Sequence, residues 1–188
     1  LIGVKDYLIH TKTLSKIDQK YINNLASKYL IITKNKHKID VINELLLSVD
    51  IIPNSIVLAQ AANESGWGTS RFAKDFNALF GQYTYDNKNG VVPSKRDKGK
   101  KHLIKFFSSI NQSIESYFIN INSHPAYSKF RNLREQLRDN NNILEVELLL
   151  NELGAYAVDK NYVSIIKSII DINELKQYDK IKSLKTYL

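Results

Sequence analysis

The chain contains no cysteine. Disulfides, thiolate metal sites and a cysteine nucleophile are thereby excluded, and the absence suits either a reducing cytosol or a bacterial envelope protein that does without disulfides. Proline and glycine are scarce, three and seven in 188 residues. That leaves little room for a linker, and no internal repeat or low-complexity block interrupts the chain, so a single compact, mainly helical domain is expected. No apolar run approaches the length of a membrane span, and the first residues lack the positive-then-apolar pattern of a signal peptide. Residue 1 is Leu and not Met, so an upstream targeting segment is expected to have been removed.

Several chemistries are missing as well. His10, His37, His102 and His124 are scattered, with no His-Glu-X-X-His spacing, so no metal is expected. There is no glycine-rich phosphate loop and no serine in a Gly-X-Ser-X-Gly elbow, which removes nucleotide and serine-hydrolase readings. No other cofactor is implied.

Positive charge, by contrast, is in excess. A net charge of +8 and a pI near 9.4 favour a polyanionic partner: nucleic acid, an anionic membrane surface or an acidic cell-wall polymer. The run Lys95, Arg96, Lys98, Lys100, Lys101, with Tyr83 and Tyr85 nearby, has the ingredients for phosphate contacts and base stacking. No nucleic-acid module accompanies it, and a solvated loop is the plainer reading.

Helical spacing covers most of the chain. Between Thr13 and Leu30 it places Leu14, Ile17, Tyr21, Leu25 and Tyr29 on one face, and between Ile39 and Val49 it gives a stripe of Val41, Ile42, Leu45, Leu46 and Val49. Pro53-Asn54-Ser55 starts a helix that Gly66 and Gly68 stop. Thr69 or Ser70 caps a short helix ending near Asn77. The segment Leu79–Tyr85, a turn at Asp86–Gly90 and a return at Leu103–Phe107 read as a hairpin or flap, 79–107, with a basic tip. Helices follow with faces at Ile110, Ile114, Tyr117, Phe118 and Ile121, capped by Ser108 or Ser109, and at Tyr127, Phe130, Leu133 and Leu137. Another runs from Ile143 to Leu153, ended by Gly154, and a last major helix, capped by Asp159, runs from Tyr162 to Ile170. A shorter one comes after Asn173. The resulting division is a helical scaffold at 1–52, a core at 53–170 and a helical tail at 171–188.

Within this frame Glu64 stands out. It falls in the last turn of the helix after Pro53, facing the negative end of the helix dipole, next to the only tryptophan, Trp67. The dipole and desolvation by a nearby indole both raise a carboxyl pKa, and a raised pKa suits a general acid. The alternative is a solvated helix-end residue beside an ordinary core tryptophan.

The stretch Ala59-Gln-Ala-Ala-Asn-Glu-Ser-Gly-Trp-Gly-Thr-Ser-Arg-Phe-Ala-Lys-Asp-Phe-Asn-Ala-Leu-Phe-Gly81 resembles the signature of the bacterial endo-β-N-acetylglucosaminidases of the lysozyme-like superfamily, glycoside hydrolase family 73. That signature is Gln-Ala-X-X-Glu-Ser-Gly-Trp-Gly-X-Ser followed by Asn-X-Leu-Phe-Gly. Gly90-Val-Val-Pro93, Arg96, Gly99, Lys105-Phe, Ser113-Ile, Tyr117, Asn120-Ile-Asn122, His124, Ala126-Tyr127 and Arg131 resemble its Bax-like branch. Leu153-Gly-Ala-Tyr-Ala-Val-Asp-Lys-Asn-Tyr162 is similar to the family's Tyr-Ala-Thr-Asp-X-X-Tyr element. The resemblance spans residues 53 to 170 and implies a lysozyme-like, mainly α fold with a small β flap.

By that resemblance Glu64 is the acid that protonates the leaving glycosidic oxygen, and Tyr156 lies at the cleavage site. Tyr156 is there to orient water or stabilise charge; its alternative is a core tyrosine with a satisfied hydroxyl. Trp67, Asn77, Tyr83 and Tyr162 are candidate substrate-binding residues, with Trp67 read more as shaping the local core, Asn77 as structural and Tyr162 as the weaker tyrosine.

A glycosidase ordinarily sets two carboxyl groups about the bond, yet the flap from Gln82 to Lys105 has no Glu, and Leu103 stands where Bax-like sequences often carry one. Three explanations stay open: Asp86 or Asp97 is the base, the substrate's own 2-acetamido group assists, or Glu64 works with Tyr156 and a water. The resemblance implies a monomeric peptidoglycan hydrolase of the bacterial envelope, periplasmic or secreted, acting on glycan strands and not on nucleic acid. The rivals are a peptidoglycan-binding module without catalysis and a lytic transglycosylase.

Overall fold

The computed structural model describes residues 1–93, 99, 101–140 and 144–180. In chain order the elements are α1 (Ile2–Thr11), α2 (Lys16–Lys28), α3 (Lys38–Ser48), α4 (Asn54–Ser65), α5 (Arg71–Phe76), β1 (Tyr83–Thr84), β2 (Gly90–Val91), β3 (Leu103–Lys105), α6 (Ile110–Ser123), α7 (Ser128–Asn140), α8 (Val146–Asn151) and α9 (Tyr162–Ile172). Short 3-10 turns lie at Pro125–Tyr127, Gly154–Tyr156 and Leu175–Asp179. The fold is mainly α with one small antiparallel sheet, in agreement with the sequence. Among the described residues no helix is long and apolar enough to cross a membrane.

The chain divides into two compact units, Leu1–Ile51 with Ile119–Glu145, and Ile52–Phe118 with Val146–Leu188; the division falls within α6. In the first unit, Leu8, Ile22, Ala26, Val41, Ile42 and Leu45 form a buried cluster contributed by α1, α2 and α3. The expected stripe on α2 is realised only in part, with Leu14 and Leu25 packed against this cluster. Ile22 and Ala26 are buried, whereas Ile17 is 81% exposed and Tyr21 is also exposed. Two apolar stripes were available at helical spacing, and packing against α3 selects the one whose small Ala26 permits close approach.

Arg134 on α7 is fully buried in this unit. Its guanidinium donates to Ile51 O at 2.7 Å, Leu47 O at 2.7 Å and Asn122 Oδ1 at 2.8 Å. Its Nε also lies 3.4 Å from Asp50 Oδ2. Leu47 O, in the last turn of α3, and Ile51 O, beyond its end, have no intrahelical partner, and a planar, forked donor satisfies them together with the Asn122 side chain.

In the second unit, α4 begins at Asn54 after Pro53, which has no side-chain hydrogen bond to give its free N–H groups. The chain's C-terminal 3-10 turn supplies the cap instead: Asp179 Oδ1 accepts from Ser55 N at 2.8 Å, a carboxylate at the positive end of the helix. Tyr178 O accepts from Asn54 Nδ2 at 2.7 Å. Ser70 caps α5 by accepting from Ala73 N, and Ser109 caps α6 by accepting from Gln112 N.

Some expected boundaries change. Only Tyr83–Thr84 of the expected strand 79–85 is extended in the sheet, and Gly90–Val91 supplies a strand that was not foreseen, giving the order β1-β3-β2. Asp159 does not cap α9 at its N-cap position; its carboxylate accepts from Asn161 N at 2.8 Å, one turn earlier. The helix expected from Ile143 runs only over Val146–Asn151, with Ile143 itself outside the described residues. Lys95, Arg96, Asp97, Lys98 and Lys100 lie outside them too.

Candidate active site

Glu64 sits in the last turn of α4, which stops because Gly66 turns left-handed at φ 57°. Trp67 and Gly68 follow in the same region, at φ 57° and 74°. A left-handed tryptophan costs about 1 kcal/mol, and the turn offsets that with a dense set of bonds. Trp67 N donates to Ala62 O at 2.8 Å, Gly68 N to Ser65 Oγ at 2.7 Å, and Ser70 N to Ser65 O at 3.0 Å. The Glu-Ser-Gly-Trp-Gly-X-Ser stretch is therefore a helix stop that leads directly into the cap of α5.

The segment after α5 returns to the acid. Asn77 closes α5 in the left-handed region and donates its amide to Phe107 O at 3.0 Å. Leu79 N donates to Ser113 Oγ and the Gln82 side chain to Ser116 O, both at 3.2 Å, tying this segment to α6, while Gln82 O accepts from Lys105 N of β3 at 2.7 Å. Between these anchors lies Gly81, at φ 58°, so near Glu64 that a Cβ there would stand 3.2 Å from Oε2.

The Glu64 carboxyl is half-buried. Burial raises its pKa above the ordinary 4.5, while hydrogen bonds from Asn63 and from Tyr162 act in the opposite direction. The Asn63 amide donates to Oε1 at 3.1 Å. Tyr162, 3% exposed on α9, reaches the carboxyl from behind. Its own hydroxyl accepts from Gln60 Nε2 at 2.7 Å, and Gln60 Oε1 in turn accepts from Tyr117 OH at 2.5 Å.

Aromatic rings hold these polar atoms in register. Tyr156 stacks on Tyr162 with centroids 5.7 Å apart and donates its hydroxyl to Phe80 O at 2.8 Å. Phe80, 2% exposed, stacks on Tyr117 at 4.1 Å. Glu64, Tyr162 and Tyr156 are thus brought together as one cluster.

The other candidates are placed differently. Trp67 is 62% exposed, so the expectation that it shapes the core is corrected; it lines a groove of about 430 Å³ with Ser164, Ile165, Ser168, Ile169, Ile172 and Asn173. A helix that has just stopped, with three consecutive left-handed residues, projects its side chains outward rather than back onto the helix face. Tyr83 is exposed on β1 with its ring 4.4 Å from that of His102. Asp86 is exposed and accepts from Lys88 N at 2.9 Å within its own turn. Asp97 lies outside the described residues. Leu103 is 5% exposed and packs on Gly90, where a Cβ would meet Leu103 Cβ at 2.6 Å. No group of three or more His, Cys, Asp or Glu that could hold a metal ion occurs among the described residues.

Gln60 opens the Gln-Ala-X-X-Glu signature and Tyr117 lies among the Bax-like matches and on the face of α6, but neither is among the expected site residues. Gln60 is fully buried, one turn before Glu64 on the same face of α4. A lone glutamine amid Ile56, Ala59 and Ala61 is a visible signal, since a buried amide must find partners.

A mainly α unit with a half-buried acid at a helix end, backed by tyrosines, narrows the possibilities to few classes. Residues 39–175 match the family model Glucosaminidase, described as mannosyl-glycoprotein endo-beta-N-acetylglucosaminidase, and the chain belongs to that family.

Two relatives refine the placement. Protein bax of Escherichia coli strain K12 is 34% identical over 161 residues, covering 85% of this chain and 57% of the relative. Exo-glucosaminidase LytG of Bacillus subtilis strain 168 is 26% identical over 185 residues, covering 94% and 60%. The chain thus spans less than two thirds of the length of either. The crystal structure of the catalytic domain of the autolysin Auto from Listeria monocytogenes shares the fold, with a TM-score of 0.52 at 21% identity over 93% of this chain and 94% of that one.

Proposed function

We propose that the protein is a peptidoglycan hydrolase of the bacterial envelope, an endo-β-N-acetylglucosaminidase that cleaves the β-1,4 bond following N-acetylglucosamine, with Glu64 as general acid. The observation that carries this reading is the Glu64 carboxyl, raised in pKa by burial and placed in the family motif with Gly81 and Tyr162 against it. A carboxyl whose pKa is raised by burial keeps its proton to higher pH than an exposed one and donates it to the leaving oxygen as the glycosidic bond breaks, while the sugar passes through an oxocarbenium-like state. Asn63 and Tyr162 then stabilise the carboxylate left behind.

For the other face of the sugar, two explanations are favoured: assistance by the substrate's 2-acetamido group, or a water held with Tyr156. A buried Leu103 offers no carboxylate, and Asp86 is engaged with Lys88 N. The net charge of +8 favours approach to an anionic wall. The protein is proposed to act as a monomer, periplasmic or secreted.

Mass spectrometry of purified sacculi digested by the protein tests the assignment. The expected products carry new N-acetylglucosamine reducing ends, and Glu64→Gln abolishes them with the fold intact; full activity in Glu64→Gln refutes the role. Products with 1,6-anhydromuramic ends would make the protein a lytic transglycosylase. Sacculus binding without new ends would make it a binding module. Since the Bacillus subtilis relative is named an exo-glucosaminidase, the same spectra separate single sugars released from chain ends from longer fragments.

A further inference from the structure

We infer that Tyr117 and Gln60, neither of which touches the Glu64 carboxyl in any described contact, are positioning residues: they set the direction of the Tyr162 hydroxyl proton and so reserve the proton of Glu64 for the substrate. This rests on the general-acid reading of Glu64 and extends it to two residues that lie in the family motifs but have no role assigned to them there.

With the Gln60 amide in the orientation of the structure, one polarity follows. Tyr117 OH donates to Gln60 Oε1 at 2.5 Å, which turns the other end of the amide, Nε2, towards Tyr162 OH at 2.7 Å. An amide nitrogen only donates, so the Tyr162 oxygen must accept there and its single proton is left for Glu64. The first three residues of the chain are held: Tyr117, Gln60 and Tyr162 are 0%, 0% and 3% exposed, and Phe80 and Tyr156 stack on the two tyrosine rings. The relay is Tyr117 to Gln60 to Tyr162 to Glu64, drawn from α6, α4 and α9 of one compact unit.

A tyrosine hydroxyl free to rotate would also accept a proton. Beside a neutral carboxylic acid it would take the acid's hydrogen bond and hold back the proton that hydrolysis needs. With Gln60 occupying the hydroxyl oxygen, Tyr162 faces Glu64 as a donor, as does the Asn63 amide at 3.1 Å. Donors on that side direct the acidic proton away from the protein and stabilise the carboxylate once the proton has left. Each bond polarises the next, so the far end of the chain is felt at the carboxyl. Among the described residues, the titratable groups of this cluster are phenols: Tyr162 of α9 bonded to the carboxyl, Tyr117 of α6 acting through Gln60, and Tyr156, whose hydroxyl bonds Phe80 O. The bonds from Asn63 and Tyr162 oppose the rise that burial imposes.

The test uses Tyr117→Phe and Tyr162→Phe, each removing one oxygen while keeping the ring, and their double variant. Two readouts are taken: the pH dependence of glycan-strand cleavage, and carbon-13 NMR titration of the Glu64 carboxyl, assigned by its absence in Glu64→Gln. The expected result is an upward move of the Glu64 titration and of the basic limb of the rate profile. The move should be smaller in Tyr117→Phe than in Tyr162→Phe, and no larger in the double variant than in Tyr162→Phe. In Tyr117→Phe kcat should fall about tenfold, the worth of one good hydrogen bond, with KM little changed.

A Tyr117→Phe protein in which rate falls but the titration stays at the parent position would overturn the relay and leave Tyr117 as packing. So would additive shifts in the double variant. If Tyr117→Phe does not fold, Gln60→Met, close in volume and lacking the amide, is read by the same titration, and an unmoved carboxyl again overturns the relay. NMR separates this failure from failure of the general-acid reading: a parent without hydrolysis but with the ordered titration series refutes the activity and keeps the relay, whereas an active parent with a flat series does the reverse.

Discussion

Gly81 lies against Glu64 so closely that a methyl group on its Cα would stand 3.2 Å from the carboxyl Oε2, and its φ of 58° is one that side chains rarely adopt. The two requirements act together. A left-handed backbone at 81 folds the segment after Phe80 under the acid, and the missing side chain leaves space for the carboxyl.

Gly81→Ala should therefore show two separable effects. The backbone strain costs about 1–2 kcal/mol of stability, or roughly 2–8 °C in melting temperature for a chain of this size. Displacing the carboxyl by a few tenths of an ångström lowers kcat well beyond what stability explains, by up to about a hundredfold if the shift reaches an ångström. Thermal unfolding and steady-state cleavage of glycan strands at a temperature where the variant is fully folded read the two effects separately.

The raised pKa of Glu64 carries a stability consequence whose sign can be worked out. The folded state holds this proton more tightly than the unfolded chain does, so stability is fully present below the ordinary carboxyl value of 4.5 and falls as pH rises through the folded-state value. Once ionised, the half-buried carboxylate is a burden that Gln does not have. Glu64→Gln should accordingly melt at a higher temperature than the parent near pH 7, by the equivalent of about 1.4 kcal/mol for each pKa unit of upward shift. The difference should close as pH is lowered towards 4.5. A difference independent of pH would mean that ionisation of Glu64 is not the source.

How much of this was legible in the sequence depends on the range of the interactions involved. The limits of α4 and α5 were readable because Pro53, Gly66, Ser70 and Asn77 act on neighbours within a turn. Glu64 was readable both from its place at a helix end and from the motif around it. The strand expected at 79–85 shrinks to Tyr83–Thr84 because Leu79 N bonds to Ser113, 34 residues away, and Gly81 turns left-handed, and no local pattern announces the first. Of the stripe expected on α2, Leu14 and Leu25 pack as expected, but Ile17 and Tyr21 do not, because they make as good a stripe as Ile22 and Ala26 until α3 is packed against the helix. Trp67 looked like core because tryptophan usually is; the left-handed turn that carries it outward is set by Gly66 and the bonds of Ser65. Partners such as Tyr117 for Gln60, 57 residues apart, and Tyr162 for Gln60, 102 apart, exist only in the folded chain.

Arg134 is the residue whose loss should be felt most in the first unit. Burial lowers its pKa to about 10, with Asp50 acting in the opposite direction, so it remains charged at pH 7. It satisfies Ile51 O, Leu47 O and Asn122 Oδ1, while Asp50 is also held by Arg138 Nη2 at 2.5 Å. Arg134→Ala removes the fork and leaves those acceptors buried, at a cost of about 3–5 kcal/mol. That corresponds to a melting temperature lower by roughly 10 °C. Arg134→Lys keeps the charge but presents it as a point rather than a plane, and should recover less than half of the loss. Denaturant unfolding of both variants separates charge from fork geometry; equal stability of Lys and Arg would show that charge alone matters.

Leu103 tests whether the flap can regain a family-like acid. It stands on β3 opposite Thr84, 5% exposed, with Gly90 opened to make room for it. A carboxylate introduced there would exchange packing on Gly90 and Thr84 for an unpaired buried charge, costing about 3 kcal/mol or more. Leu103→Glu should thus lower the melting temperature at pH 7 and lose less at acid pH, because burial raises the new carboxyl's pKa and protonation removes the charge. Cleavage of sacculi should not improve, since a side chain held beneath the sheet does not reach a sugar. A Leu103→Glu protein that is as stable as the parent and hydrolyses faster would show the opposite: that the flap presents position 103 to substrate and that a second carboxylate is what this chain lacks.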